Sequence, residues 1–209
     1  MAEFFSISTT TSDFYIRVQT MMDTIAWSEG TDFKNENTGY NLLIDGVSFN
    51  GTTKYTGDFK SYGKPNTLEK WGKSYNDNHP NILIKWRLGS DKNPSNFSSA
   101  SGRYQILFPV WTKLAPKYFI QDFTPQSQDR MCIVLLEKSF PHIKQGQWEL
   151  AIKSICKTWP SLPGAGYSEQ TSFSMNQIIN KLKEYYATNK TLSPEAQIFI
   201  NQYFPLYIK

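Results

Sequence analysis

A helix-dominated α+β fold is what this sequence predicts. Three observations carry that expectation. Apolar residues recur at helical spacing in several separate stretches, start and stop signals bracket those stretches, and one Asp-Gly pair between two β-prone runs marks a small hairpin. With 209 residues, 39% of them hydrophobic, the chain has the size of one domain, or of a domain with a small appendage.

Residues 1 to 12 are rich in Ser and Thr and read as an extended lead-in. From Asp13 the pattern changes: Phe14, Val18, Met21, Met22, Ile25 and Ala26 fall on one helical stripe, with Ser12 or Asp13 as N-cap. Gly30 then stops the helix as a left-handed C-cap, which puts Glu29 in the last turn of a half-buried helix. The run from Tyr40 to Ile44, the pair Asp45-Gly46 and the run from Val47 to Phe49 predict a type I′ hairpin. Gly51 to Ser74 is polar, dotted with glycine and aromatic at Tyr55, Phe59, Tyr62 and Trp71, the signature of a long surface excursion.

The chain reads as helical from Trp111 onward. Thr124-Pro125 sets an N-cap before a proline at the first helical position. Gln147 to Trp159 carries Trp148, Ala151, Ile152, Ile155 and Cys156 on one stripe, and Met175 to Tyr186 repeats the logic with Ile178, Ile179, Leu182 and Tyr186. Ser193-Pro194 opens a last amphipathic piece whose stripe is Ile198, Phe199, Tyr203 and Phe204. That stripe could touch a lipid surface, but Lys209 is the one basic residue after Lys190, so packing back onto the rest of the chain is expected.

Composition excludes several function classes. There is no apolar run of the roughly 18 residues that a membrane span needs, so no stable membrane insertion is expected. The start has no basic residue before an apolar stretch, unlike a cleaved secretory signal. Cys132 and Cys156 have no CxxC partner, and His79 and His142 are the only histidines, so no metal and no other cofactor is expected. The net charge of +4 suits an anionic polymer, yet no basic cluster points to nucleic acid. Aromatics make up 15% of the chain, so many large flat side chains must find a place in the fold.

Three segments could carry chemistry. A carboxyl at a helix C-terminus faces the negative end of the helix dipole, and the flanking Trp27 with the buried helix face adds desolvation, so both favour a protonated Glu29. A carboxylic acid of that kind can protonate a glycosidic oxygen; the plain alternative is a solvated helix end. Ser101-Gly102-Arg103-Tyr104-Gln105 can bring backbone close to a ligand with polar side chains beside it, or can be a turn that packs Tyr104. Trp159 to Tyr167 holds two prolines and two glycines, which prescribe a rigid loop suited to the rim of a sugar site or to a simple connector.

Taken together, the three segments resemble one family. Ala26-Trp27-Ser28-Glu29-Gly30-Thr31-Asp32, Gly102-Arg103-Tyr104-Gln105-Ile106-Leu107 and Ser161-Leu162-Pro163-Gly164-Ala165-Gly166-Tyr167 are similar to the bacteriophage lambda-type endolysins. Gly39-Tyr40 and the run from Asp122 to Asp129 resemble the same family, in the same order, over about residues 14 to 186. The resemblance implies a lysozyme-like fold with a small β-sheet on one side of a cleft. It also implies a peptidoglycan lytic transglycosylase that cleaves the β-1,4 bond between N-acetylmuramic acid and N-acetylglucosamine.

By the same comparison, Glu29 takes the catalytic position. Tyr40, Ser101, Tyr104 and Gln105 would bind substrate, Tyr104 and Gln105 on the cleft floor, while Arg103 is divided between that floor and bracing the fold. Ser161, Gly166 and Tyr167 would form the lower lip, and the stretch from Tyr75 to Asn93 the upper one. The expected layout is a catalytic domain over residues 1–190, with an insertion at about 51–74, and a helical extension over 191–209. The partner would be the glycan strands of the wall, met by a monomer made in the bacterial cytoplasm and released to the periplasmic side.

The chain also departs from that pattern. Asn41 stands where the family has an acid after Gly-Tyr, and Thr38 stands where it has a histidine. Any part that acid plays is dispensable here or moved to Asp45 or Asp32. Two rivals stay open: a hydrolytic muramidase, which needs a second carboxylate about 5–9.5 Å from Glu29, and an inactive glycan-binding tail or wall module.

Overall fold

The computed structural model describes residues 10–32, 39–44, 72–74, 76–85, 97–166 and 173–208. Its chain falls into two compact units, one of Met1–Ser28 with Cys132–Lys209, the other of Glu29–Met131. The Asp45-Gly46 turn, most of the 51–74 excursion and Tyr167 lie outside the described residues.

The first unit is built on helix α1 (Thr11–Ser28). Phe14, Val18, Met21, Met22, Ile25 and Ala26 are all at most 1% exposed, as the spacing predicts. The helix is not half-buried, however. Arg17, Gln19, Thr20, Asp23 and Thr24 are enclosed as well, so α1 runs through the core of its unit. Buried polar groups need partners, and these have them. Gln19 Nε2 donates to Asp23 Oδ1 at 2.8 Å, Thr24 Oγ1 to Thr20 O at 2.8 Å, and Lys190 Nζ lies 3.5 Å from Asp23. The cap is Thr10 rather than Ser12 or Asp13, because Thr10 Oγ1 accepts the Asp13 amide at 3.2 Å. Gly30, at φ 73°, adopts the left-handed conformation expected of the stop signal.

Helices α4 (Phe140–Lys144) and α6 (Met175–Tyr186) lie against α1. Arg17 serves α4 as a C-terminal cap, donating to Ile143 O and Lys144 O at 3.4 and 3.2 Å while pairing with Asp13 at 2.8 Å. Helix α6 opens on a capping box between Ser174 and Gln177 and has the bounds the sequence predicts. Its buried stripe is Ile178, Leu182 and Tyr185, not Tyr186, because two helical turns return to the same face after about 7 residues, not 8. Tyr186 instead donates its hydroxyl to Asp13 at 2.6 Å. Helix α5 (Trp148–Ile155) buries Ala151, Ile152 and Ile155 and ends at Ile155, with Cys156 buried beyond it.

Ser193 caps helix α7 (Pro194–Tyr203), accepting the Ala196 amide at 3.2 Å. Ala196, Phe199 and Ile200 face inward, while Ile198, expected on the apolar stripe, is 64% exposed. Phe204 meets Phe140 edge to face at 5.5 Å, and Tyr15 donates to Asn201 at 2.6 Å. The C-terminal piece thus packs on the first unit. Among the described residues no helix is long and apolar enough to cross a membrane.

The second unit holds the β structure. Strands β1 (Ile84–Lys85) and β2 (Phe97–Ser98) pair antiparallel, Ile84 opposite Ser98. Leu43 bridges Ser101, and Ser101 bridges Ile106. The first limb of the predicted hairpin is therefore joined to the 100–102 segment, with Ile44 N donating to Ala100 O at 3.0 Å. Helix α2 (Phe108–Leu114) starts three residues before the predicted Trp111, with Pro109 in its first turn. Helix α3 (Pro125–Leu136) starts at the predicted proline, and Thr124 Oγ1 accepts the Ser127 amide at 3.3 Å. The unit's core gathers His79, Trp111 and Phe123, His79 lying 5.9 and 5.0 Å from the two rings.

Candidate active site

Glu29 is half-buried and follows the last residue of α1, in the turn closed by Gly30. Its chain neighbours Ser28 and Gly30 are buried, whereas Glu29 keeps part of its surface open. The next residues turn inward. Thr31 donates its hydroxyl to Arg103 O, and Asp32, 1% exposed, pairs with Arg103 Nη1 at 3.0 Å. Arg103 itself has no exposed surface. Of its two expected roles, it therefore takes that of brace.

The Gly102–Gln105 turn is held from several sides. Gly102 N donates to Leu42 O at 2.6 Å, and Arg103 N donates to Gln128 Oε1 at 2.9 Å. Gly102 has φ 77°, and a Cβ there would collide with the Gln128 side chain, so only glycine fits. Gln105 is half-buried with φ 48°, a left-handed conformation that costs a non-glycine residue about 1 kcal/mol or more. Its Nε2 folds back onto Gly102 O at 2.9 Å, which fixes where the remaining amide oxygen sits.

Tyr40 is half-buried. Its hydroxyl donates to Asp129 Oδ1 at 2.8 Å, and Tyr104 donates to the same oxygen at 2.7 Å. Burial, with the Asp129 carboxylate beside it, pushes the Tyr40 phenol far above its ordinary range, so it stays a donor. Tyr104 and Ser101 have no exposed surface. Both were expected to touch substrate, but their side chains are enclosed: Ser101 Oγ donates to Ser99 O at 2.9 Å, and Tyr104 faces Asp129. Small and aromatic residues in one motif do not reveal which of them the turn folds inward.

Around this turn, the 77–81 segment is pinned from beneath. His79 Nε2 donates to Ile106 O at 2.7 Å, Asn81 N donates to His79 Nδ1 at 3.1 Å, and Trp111 Nε1 donates to Asn78 Oδ1 at 2.7 Å. Burial holds the His79 imidazole down at about 4, so it is neutral near pH 7. Asn93 and Tyr75, named with the same upper-lip stretch, lie outside the described residues.

On the first unit, Ser161 is half-buried and its Oγ donates to Ser28 Oγ at 2.9 Å. Ser161 O accepts the Phe173 amide at 3.0 Å, and Phe173 stacks at 4.4 Å on Trp27. Gly166 is exposed at φ 81° with no atom within 4 Å of where a Cβ would stand. Gly164, at φ 87°, gives the loop a second left-handed turn.

Two residues of this architecture lie in the Asp122 to Asp129 run but were given no role by the sequence reading. Gln128, wholly buried, donates to Tyr40 O and Phe123 O at 2.9 and 2.8 Å while accepting from Arg103 N. Asp129 gathers both phenols. The available signal was their place in the Thr124-Pro125 helix start, where the first-turn side chains stand beside the preceding loop. No group of three residues able to hold a metal is present among the described residues.

Comparison with known proteins agrees with this architecture. The sequence model of the family described as Endolysin matches residues 19–190. The endolysin of Escherichia phage lambda is 31% identical over 168 residues, 78% of this chain and 87% of that protein. The endolysin of Escherichia phage P2 is also 31% identical over 168 residues, covering 78% and 88%. Among solved structures, bacteriophage lambda lysozyme complexed with a chitohexasaccharide matches with a TM-score of 0.58 at 28% identity, over 81% of this chain and 94% of that one. A second structure of lysozyme from bacteriophage lambda gives 0.52 at 26% identity, over 83% and 92%. The expected mainly helical lysozyme-like fold is thereby shown.

Proposed function

Because the chain belongs to the endolysin family, we propose that it degrades bacterial peptidoglycan as a lytic transglycosylase, with Glu29 as its acid and base. Glu29 gives its proton to the glycosidic oxygen as the bond from that oxygen to C1 of N-acetylmuramic acid breaks. The resulting carboxylate then takes the proton of the muramic acid 6-hydroxyl while that oxygen bonds to C1. A 1,6-anhydro sugar leaves, no water is consumed, and Glu29 is protonated again for the next cycle.

The observation that carries this reading over hydrolysis is the state of the other carboxylates. A hydrolase needs a second carboxyl about 5–9.5 Å from the first. Among the described residues of the second unit, Asp32 is sealed against Arg103 and Asp129 receives two phenols. Asp122 accepts from Thr124 and Ser127, and Asp77 from the Ser74 amide. Asn41 supplies no charge where relatives carry an acid. Each described aspartate of that unit already has a structural task.

In this reading Tyr40 and Gln105 contact the glycan, Ser101 and Tyr104 support them from behind, and Ser161, Gly166 and Tyr167 are separate contact positions to be tested by substitution. The protein acts as a monomer without a cofactor, made in the host cytoplasm and reaching the wall after release. Residues 191–209 are a stabilising extension of the catalytic domain at 1–190. Digestion of purified peptidoglycan in heavy-oxygen water tests the chemistry. The expected products carry no solvent oxygen; label at C1 of muramic acid would establish hydrolysis.

A further inference from the structure

A phenol has one proton to give. Tyr40 spends its one donor on a hydrogen bond to Asp129 Oδ1 at 2.8 Å, which leaves the hydroxyl unable to donate to a sugar. The same oxygen takes the phenol of Tyr104 at 2.7 Å, and Tyr104 is wholly enclosed, so the carboxylate is tethered to the core from its other side. The two rings meet edge to face at 6.4 Å and 85°, and the Arg103 guanidinium lies 5.5 Å from the Tyr40 ring centre. One residue earlier on the same helix, Gln128 ties the Tyr40 carbonyl to the Arg103 amide. Ring, hydroxyl and backbone of Tyr40 are each fixed, yet the side chain is only half-buried.

From this geometry we infer that Asp129 is a positioning residue for glycan binding: it accepts the hydrogen bond of the Tyr40 phenol and presents the open part of the ring as a flat apolar surface for a sugar. The inference deepens the proposed function and rests on its reading of Tyr40 as a glycan contact. An aromatic ring pairs with the C–H face of a pyranose, and a ring held in one orientation loses less freedom on binding than a mobile one.

Binding of a chitohexasaccharide, measured by calorimetry in a Glu29→Gln background, reads this without turnover. Asp129→Ala and Tyr40→Phe each raise Kd by about tenfold, the effect of losing one charge-assisted hydrogen bond. Combined, they cost no more than either alone, because both break the same link. Asp129→Asn keeps an acceptor oxygen and stays within about twofold of the parent. Phe204→Ala, in the other unit, lowers the melting temperature but leaves Kd unchanged, which separates positioning from general support.

Additive losses, Asp129→Asn as weak as Asp129→Ala, or Tyr40→Phe binding like the parent would each overturn the inference. Should Asp129→Ala fail to fold, Tyr40→Phe and Asp129→Asn decide it between them. The predicted binding pattern in a protein whose wild type releases no muropeptides would sink the proposed function and leave Asp129's role standing. Unchanged binding across the variants of a protein that does cleave the wall would do the reverse.

Discussion

Asp32 and Arg103 form an ion pair with almost no exposed surface, and their pairing decides more than stability. Breaking a buried pair by removing one partner costs about 3–5 kcal/mol, because the other charge is left without its counter-ion. We expect Asp32→Asn to lower unfolding stability by that amount in denaturant titration, with residual activity in the fraction that stays folded. A stable Asp32→Asn protein with no activity would instead make Asp32 the missing second carboxylate. His79 gives a second residue-scale prediction. Its folded value of about 4 lies below the ordinary 6.5, so above pH 6.5 both folded and unfolded states are neutral and the full stability is present. As pH falls from 6.5 toward 4, the unfolded state takes up a proton that the folded state refuses, and about 1.4 kcal/mol is lost per unit. His79→Gln should flatten that slope between pH 7 and 5; an unchanged slope would contradict the assignment. That Glu29 stands at a helix end was legible in sequence, since Gly30 is a local signal, although the helix stops at Ser28, one residue before it. The enclosure of Tyr104 and Ser101 was not. Nor was the role of Asp129, which follows Tyr40 by 89 positions, so that only the folded chain brings them together.

Helices carried the most readable information. The bounds of α6 follow directly from the sequence because its capping box and apolar period agree, and α3 starts where Thr-Pro says it should. Strands were less legible. Two-residue strands at Ile84–Lys85 and Phe97–Ser98 are too short to show an alternating pattern, and their pairing depends on a partner 12 or 14 positions away. Helix α1 misled in one respect: its polar residues suggested a wet face, but Arg17, Gln19 and Asp23 bury themselves by pairing. At this scale the C-terminal piece offers the sharpest test. Phe204 is 4% exposed and stands edge-on to Phe140, so Phe204→Ala should cost about 3–5 kcal/mol. Deleting residues 191–209 should lower the melting temperature for the same reason. Unchanged melting with lost lysis of intact cells would show that the piece serves the target surface instead.

For the molecule as a whole, sequence and structure converge on a lysozyme-like member of the endolysin family, matched over residues 19–190. The fold class was legible because helix signals are local and several. The chemistry was legible only through the joint pattern of three motifs, since a lone Glu before a Gly has no specificity. What the structure adds is that the described aspartates of Glu29's unit are each hydrogen-bonded or ion-paired, the ground on which one carboxyl acting twice is proposed. The most direct measurement is mass spectrometry of muropeptides released from purified peptidoglycan by wild type and Glu29→Gln, with and without borohydride. The account predicts wild-type products lighter by one water than reducing muropeptides and inert to borohydride, and none from Glu29→Gln. Borohydride-reducible products from the wild type, or anhydro products from Glu29→Gln, would contradict it.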